Sequence, residues 1–351
     1  MTMTKQNNME SNTTHPSEHG DDFQVELVAN FSSNMWYDSD NDGLYKFLNN
    51  KLTTIERYPE WQNQSVKMML ANKLNVQTSQ LMLCNGTCEG IYVLAQAFQS
   101  QKSLIVSPTF SEYQKACILN NHQIFKCGLS ELEIQIKNLH PNLVWICTPN
   151  NPDGTIISET RCKALVSQFP NTNFVFDISF HEFTLAESYD LQLVNQYKNI
   201  VFIYSFTKRY RIPGIRIGYL CGSSTLMHNI IKYCIPWNIN TLAIQSLRYI
   251  LQKENTFFNI EKWLIEKKYF TEKIDSIPGF KCIESQTPFF LVQLQHGNAA
   301  HLKTYLLQHG ILIRDACNFT NDGQQLIRLN TLSRDNNNLL INKLIKWTQL
   351  I

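Results

Sequence analysis

No stretch of this chain holds the roughly 20 consecutive apolar residues that a membrane-spanning helix requires, and the N-terminus lacks the basic and apolar regions of an export signal. Both absences lead to the expectation of a cytoplasmic protein. Charge of one sign is not in excess either. The 31 Lys and Arg stand against 29 Asp and Glu, a formal net charge of +2, so nothing steers the chain to nucleic acid. The ten cysteines contain no CxxC pair, so neither a thiolate metal site nor a disulfide framework is read from them, and buried free thiols are expected. There is no internal repeat, and the only biased tract is a polar leader of residues 1–18, rich in Asn, Thr, Ser and Glu, which reads as disordered.

What is present is a chain of 351 residues, 43% hydrophobic, long enough for a large core with an appendage. From about residue 80, short apolar runs alternate with helical patterns: 80–84, a helix over 89–98, then 103–106, 143–147, a helix over 159–169, 173–177, 200–205 and 216–221. Strands apolar on both faces and separated by helices predict an α/β fold with a mainly parallel sheet covered on both sides. After Pro236 the pattern changes to long helical stretches over 242–276. Short strands at 289–294, 311–314 and 326–329 follow, with helices around 300–309 and from 334. This predicts a smaller α+β unit joined by a long helix.

Ligands of an open α/β sheet gather beyond the carboxyl ends of its strands, so the residues that follow each apolar run carry the chemistry. Gly86, Thr87 and Cys88 follow the run 81–84 and lead into a helix. A glycine turn at a helix N-terminus offers free N–H groups to an anion; read alone, it is equally a capped helix. Asn151 stands in Thr148-Pro149-Asn150-Asn151-Pro152-Asp153-Gly154, a turn sequence that also brings an amide N–H to the sheet end. Asp177 emerges from an apolar strand. A buried carboxylate is costly unless paired, so it caps a turn, meets an arginine or meets a cationic ligand. Lys208, in Ser205-Phe206-Thr207-Lys208, closes another strand; read alone it is a solvated lysine, and in this setting an amine nucleophile.

Taken together, Asn85-Gly86-Thr87, Asn151-Pro152-x-Gly154, Asp177 and Ser205-x-Thr207-Lys208 followed by Arg216 resemble the fold-type I pyridoxal 5′-phosphate enzymes, in particular the class I/II aminotransferases. The resemblance runs along most of the chain. It implies the type I transferase fold, with a seven-stranded sheet in a large domain and a smaller α+β domain. The corresponding boundaries are a leader of 1–18, an arm of 19–40 over the active site, a cofactor domain of 41–240, and a linking helix with small domain of 241–351. It further implies Lys208 as the Schiff-base lysine, Asp177 as the partner of the pyridine N1 and Asn151 as the donor to O3′. Thr87, Cys88 through its backbone, Ser205, Thr207 and Arg216, beside Gly86, would hold the phosphate. Tyr113, in Pro108-Thr109-Phe110-Ser111-Glu112-Tyr113, would stack on the ring. Tyr58, in Arg57-Tyr58-Pro59-Glu60, resembles a tyrosine that reaches the neighbouring subunit's phosphate, implying a homodimer.

Within that family, His19-Gly20-Asp21-Asp22 and Ala29-Asn30-Phe31-Ser32-Ser33-Asn34 look like segments of the threonine-phosphate decarboxylases of cobalamin synthesis, relatives of histidinol-phosphate aminotransferases, although Asp21 replaces a glycine of that pattern. Residues 311–319 and Ile327-Arg328-Leu329 also fit. Phe180 stands where the aminotransferase pattern has a tyrosine. The resemblance places His19, Gly20, Asn34, Asn151, Arg314 and Arg328 around a phosphorylated amino acid. Alone, His19 reads as a solvated residue, Asn34 as a turn residue and the arginines as ion-pair partners. The expected reaction is decarboxylation of O-phospho-L-threonine to aminopropanol phosphate, with the Cα–carboxylate bond held perpendicular to the cofactor ring. The alternatives are histidinol-phosphate amino transfer and a non-enzymatic cofactor-binding regulator. The latter usually carries a further DNA-binding domain, for which the leader leaves no room.

Overall fold

The computed structural model describes residues 26–253, 258–319 and 323–350, so the expectations for the leader, His19 and Gly20 lie outside the described residues. The chain first lays down a short strand, β1 (Ala29–Asn30). It then builds a seven-stranded sheet from β2 (Leu81–Cys84), β3 (Lys102–Val106), β4 (Gln123–Cys127), β5 (Leu143–Cys147), β6 (Asn173–Asp177), β7 (Ile200–Ser205) and β8 (Gly218–Gly222). Their spatial order is β2-β8-β7-β6-β5-β3-β4, and only β8 runs against its neighbours. Six of the seven strands of this mainly parallel sheet are those the alternating pattern predicts, and β4 is added at an edge.

Alternation along the strands explains both covered faces. Leu81, Leu83, Val144, Ile146, Phe174, Phe176, Phe202 and Tyr204 enter one core. Their neighbours Met82, Cys84, Leu143, Trp145, Val175, Val201 and Ile203 enter another. Burial on both sides is why these strands read as continuous apolar runs. Of the ten cysteines, all free, Cys84, Cys117, Cys127, Cys147, Cys162 and Cys221 are buried in these layers.

A second sheet, of order β12-β13-β10-β9, is made from β9 (Phe280–Cys282), β10 (Phe289–Leu294), β12 (Arg314–Asp315) and β13 (Leu326–Asn330), while β11 (Ile311–Leu312) pairs in parallel with β1. Helices Ile260–Asp275, Ala299–Leu307 and Arg334–Trp347 bury Phe270, Ile274, Leu302, Leu306, Leu340 and Leu344 against this unit. Each helix opens on a side-chain cap, Asn259, Asn298 and Ser333 respectively, which satisfies N–H groups that have no intrahelical partner. The helical stretches expected over 242–276 are two helices, Thr241–Gln252 and Ile260–Asp275. Lys253 ends the first in extended backbone, and Asn259 caps the second. No helix among the described residues is long and apolar enough to cross a membrane.

Candidate active site

Because β2, β5, β6 and β7 run the same way, their carboxyl ends open on one side of the sheet. The turn after each delivers one part of the site. β7 and β8 are antiparallel and need no crossover. Their connection holds the short helix Phe206–Arg209, and Lys208 lies on it. The side chain of Lys208 is partly buried. Burial first, then the positive charges of Arg328 and Arg216, lower its pKa from the ordinary lysine value, with Cys88 and Asp177 acting the other way. A lysine so placed keeps more of its amine unprotonated, as a nucleophile requires.

Asp177 ends β6 and is 5% exposed. Its Oδ1 accepts from the Ser179 N–H at 2.9 Å, and its Oδ2 accepts from the Tyr113 hydroxyl at 2.7 Å. Burial raises its pKa, and the bonds from Ser179 and Tyr113 and the Lys208 charge oppose that rise. Asp177 therefore caps its own turn, one of the roles its sequence allows, and no arginine among the described residues pairs with it.

Tyr113 corrects the expected arrangement. Its ring is stacked on Trp145, with centroids 5.4 Å apart and planes at 20°, and only 1% of the residue is exposed. It opens the helix Glu112–Leu119 and so faces the core, which leaves no ring face to cover a ligand. Phe110, half-buried and edge-on to Tyr113 at 5.8 Å, is the aromatic of that segment with surface to offer. The motif holds both rings three residues apart, and only the start of the helix decides which turns inward.

Gly86 begins the helix Gly86–Ala97 with φ +71°. A Cβ there would meet the Arg216 guanidinium at 2.3 Å from Nη2, so the missing side chain lets Arg216 lie across the helix start. The first amides of that helix, including those of Thr87 and Cys88, have no intrahelical partner. On the next strand end, the Ser205 and Thr207 hydroxyls are 2.7 Å apart and buried. Gly218 lies beside both Cys84 and Ser205 in register, and a Cβ there would meet Thr87 Cγ2 at 3.1 Å. Helix amides, two hydroxyls and a guanidinium fork thus share one corner, a donor set suited to a phosphate dianion.

A second cationic group comes from the small sheet. Arg314 and Arg328 are 6% and 7% exposed. Arg328 Nη1 donates to Asn151 Oδ1, and its Nη2 donates to the Ser32 carbonyl at 2.5 Å. No carboxylate pairs with Arg328 among the described residues. Burial, then the charge of Arg314, push it down to about 9. Asn34 is 3% exposed, and neither its Oδ1 nor its Nδ2 has a partner among the described residues. Orphaned buried amides and like charges side by side are costly, and a bound anion relieves both. Phe180 brings its ring within 6.0 Å of Lys208 Nζ and packs edge-on to Phe289 at 4.9 Å.

Tyr58, unlike the phosphate-corner residues, stands away from the strand ends of its own chain. It is 81% exposed on the surface, its ring 5.0 Å from Trp237, with Trp61 and Ile55 also exposed.

The donor corner, an acid at a strand end and a lysine on the next turn fit pyridoxal 5′-phosphate, whose phosphate, ring nitrogen and aldehyde require those three partners. Residues 32–344 match the family described as aminotransferase class I and II. The chain is 34% identical to L-threonine-O-3-phosphate decarboxylase from Porphyromonas gingivalis, with a TM-score of 0.88 over 92% of this chain and 100% of that one. It is 26% identical, over 310 residues, to histidinol-phosphate aminotransferase from Anoxybacillus flavithermus, covering 84% of this chain and 82% of the relative. It shares its fold with histidinol-phosphate aminotransferase from Sinorhizobium meliloti, solved in complex with pyridoxal 5′-phosphate, at 16% identity and a TM-score of 0.81 over 91% and 90% of the two chains.

Proposed function

Because the chain belongs to the aminotransferase class I and II family and is a pyridoxal 5′-phosphate enzyme, we propose that it decarboxylates O-phospho-L-threonine to aminopropanol phosphate for cobalamin synthesis. The observation that carries the substrate class is the buried pair Arg314 and Arg328, to which the buried amide of Asn34, without a partner among the described residues, adds a further polar group. Two guanidinium groups match a substrate with two anionic ends, a phosphate and a carboxylate.

In this reading the amides of Thr87 and Cys88, with Ser205, Thr207 and Arg216, hold the cofactor phosphate, and Gly86 keeps room for the arginine. Asp177 would pair with the ring nitrogen, Asn151 would donate its amide N–H to the ring oxygen, and Phe110 would cover the ring face. When bound, the cofactor supplies an aldehyde that captures the substrate amine and a ring that accepts the electron pair of the bond broken at Cα. Arg314 and Arg328 fix the phosphate and carboxylate, and through them which bond at Cα is presented for breaking. Lys208 Nζ would hold the cofactor aldehyde between turnovers and, as a free amine, would carry the proton for Cα. Phe180, beside that nitrogen, brings no hydroxyl where the aminotransferase pattern has one, and in this it resembles the decarboxylase branch. The likeness to the P. gingivalis enzyme supports the same choice.

The protein acts as a homodimer in the cytoplasm, and Tyr58 reaches the partner's phosphate corner. The exposed cluster of Tyr58, Trp61 and Trp237 supports that contact. Incubation with phosphothreonine should release carbon dioxide and aminopropanol phosphate without consuming 2-oxoglutarate. Transfer of the amino group to 2-oxoglutarate, from phosphothreonine or histidinol phosphate and without carbon dioxide, overturns the decarboxylase reading in favour of an aminotransferase.

A further inference from the structure

We propose that Tyr113 is a positioning residue that acts through Asp177, holding the carboxylate ionised and oriented toward the cofactor's ring nitrogen; this rests on the pyridoxal 5′-phosphate reading above. The two oxygens of Asp177 are served from two directions. The Ser179 N–H reaches Oδ1 at 2.9 Å, and the Tyr113 hydroxyl reaches Oδ2 at 2.7 Å from a different helix. A carboxylate has about four acceptor positions, so both oxygens keep capacity for a further donor while their direction is fixed. Tyr113 itself cannot turn away. Its ring is stacked on Trp145, edge-on to Phe110 and almost wholly buried.

The phenol also keeps its proton. Burial first, then the Asp177 charge, raise its pKa well above the usual tyrosine range, so it only donates to the carboxylate. The titratable groups that face Asp177 are Lys208 from the short helix after β7, Cys88 from the helix Gly86–Ala97, Cys147 from β5, and Tyr113. Of these only Lys208 brings positive charge. Burial pushes the Asp177 carboxyl up, which leaves Tyr113 among the few groups that hold it ionised. Without the hydroxyl the carboxyl takes up its proton at a higher pH, and the ring nitrogen loses its charged partner there.

The test compares purified holoenzyme of wild type, Tyr113→Phe, Asp177→Asn and the double variant. The readings are retention of pyridoxal 5′-phosphate and its visible absorbance as a function of pH. Tyr113→Phe should bind the cofactor about tenfold more weakly and show its acid transition at higher pH. In the Asp177→Asn background the same substitution should add nothing, because its partner is gone. Fluorotyrosine incorporated at position 113 preserves the packing and donates more strongly, so it should move the transition to lower pH even if Tyr113→Phe folds poorly. An unmoved transition in both altered proteins overturns the proposal, as does an equal loss with and without the Asp177 carboxylate. Wild type that takes up no pyridoxal 5′-phosphate overturns the cofactor reading itself.

Discussion

Arg314 and Arg328 are directly opposite one another in the antiparallel pair β12 and β13, both buried. Like charges across a strand pair are destabilising, and Arg328, which meets no carboxylate among the described residues, is suited to hold an anion there. Arg328→Ala should lower kcat/KM for phosphothreonine about 10²-fold or more, with a much smaller effect on cofactor content. Arg328→Lys should recover only part of the loss, since a lysine lacks the planar fork. Free inorganic phosphate should raise the melting temperature of wild type and leave the Arg314→Ala, Arg328→Ala double variant unmoved.

Gly86 has no room for a side chain. Gly86→Ala imposes a positive φ on an L-residue, at about 1–2 kcal/mol, and drives a methyl group into the Arg216 guanidinium. Cofactor affinity should fall about tenfold or more as Arg216 is displaced, beyond what the change in thermal stability explains. Absorbance of retained cofactor after dialysis, compared with a melting curve, separates the two effects.

His181 makes stability depend on acid. Burial pushes its imidazole down to about 4 from an ordinary value of 6.5, against the bond with the Ile178 carbonyl. Between those values the unfolded chain binds a proton that the folded chain refuses, so stability is complete above pH 6.5 and falls as pH drops toward 4. The loss attached to this residue is on the order of 2–3 kcal/mol. Urea titrations of wild type and His181→Gln across that window should show a weaker acid slope in the variant.

Tyr58 and Lys208 should complement each other across subunits. Tyr58→Ala and Lys208→Ala, each assayed alone, should have little activity. Dissociated and reassociated together, they should recover roughly a quarter of wild-type turnover, because half of the dimers are hybrids with one intact site of two. Absence of recovery, with hybrids shown to form, rejects the shared site.

The strand ends were legible because their strands are apolar on both faces. Runs such as Val144-Trp145-Ile146 and Phe174-Val175-Phe176 stand out, and the polar residue that follows each marks the site. β4 escaped notice for the opposite reason: Gln123 and Lys126 are exposed on this edge strand and break the apolar run. Tyr113 stands out in the sequence but its direction does not, since the separation of two aromatics does not tell which one a helix will turn into the core. The bond between Arg328 and Asn151 joins residues 177 positions apart, and no local pattern could reveal it. Arg314 and Arg328 were nonetheless visible as charges interrupting apolar strands.

The segment after β1 has a mechanical consequence. Its Ser32 carbonyl receives Arg328, and its Trp36 N–H donates to the Lys208 carbonyl at 3.0 Å. Four residues of backbone can span at most roughly 14 Å, so a short inextensible tether limits how far the anion holder can drift from the amine. Specificity and reactivity in this molecule are therefore gauged by the same few peptide units, and a one-residue insertion between them would detune both at once.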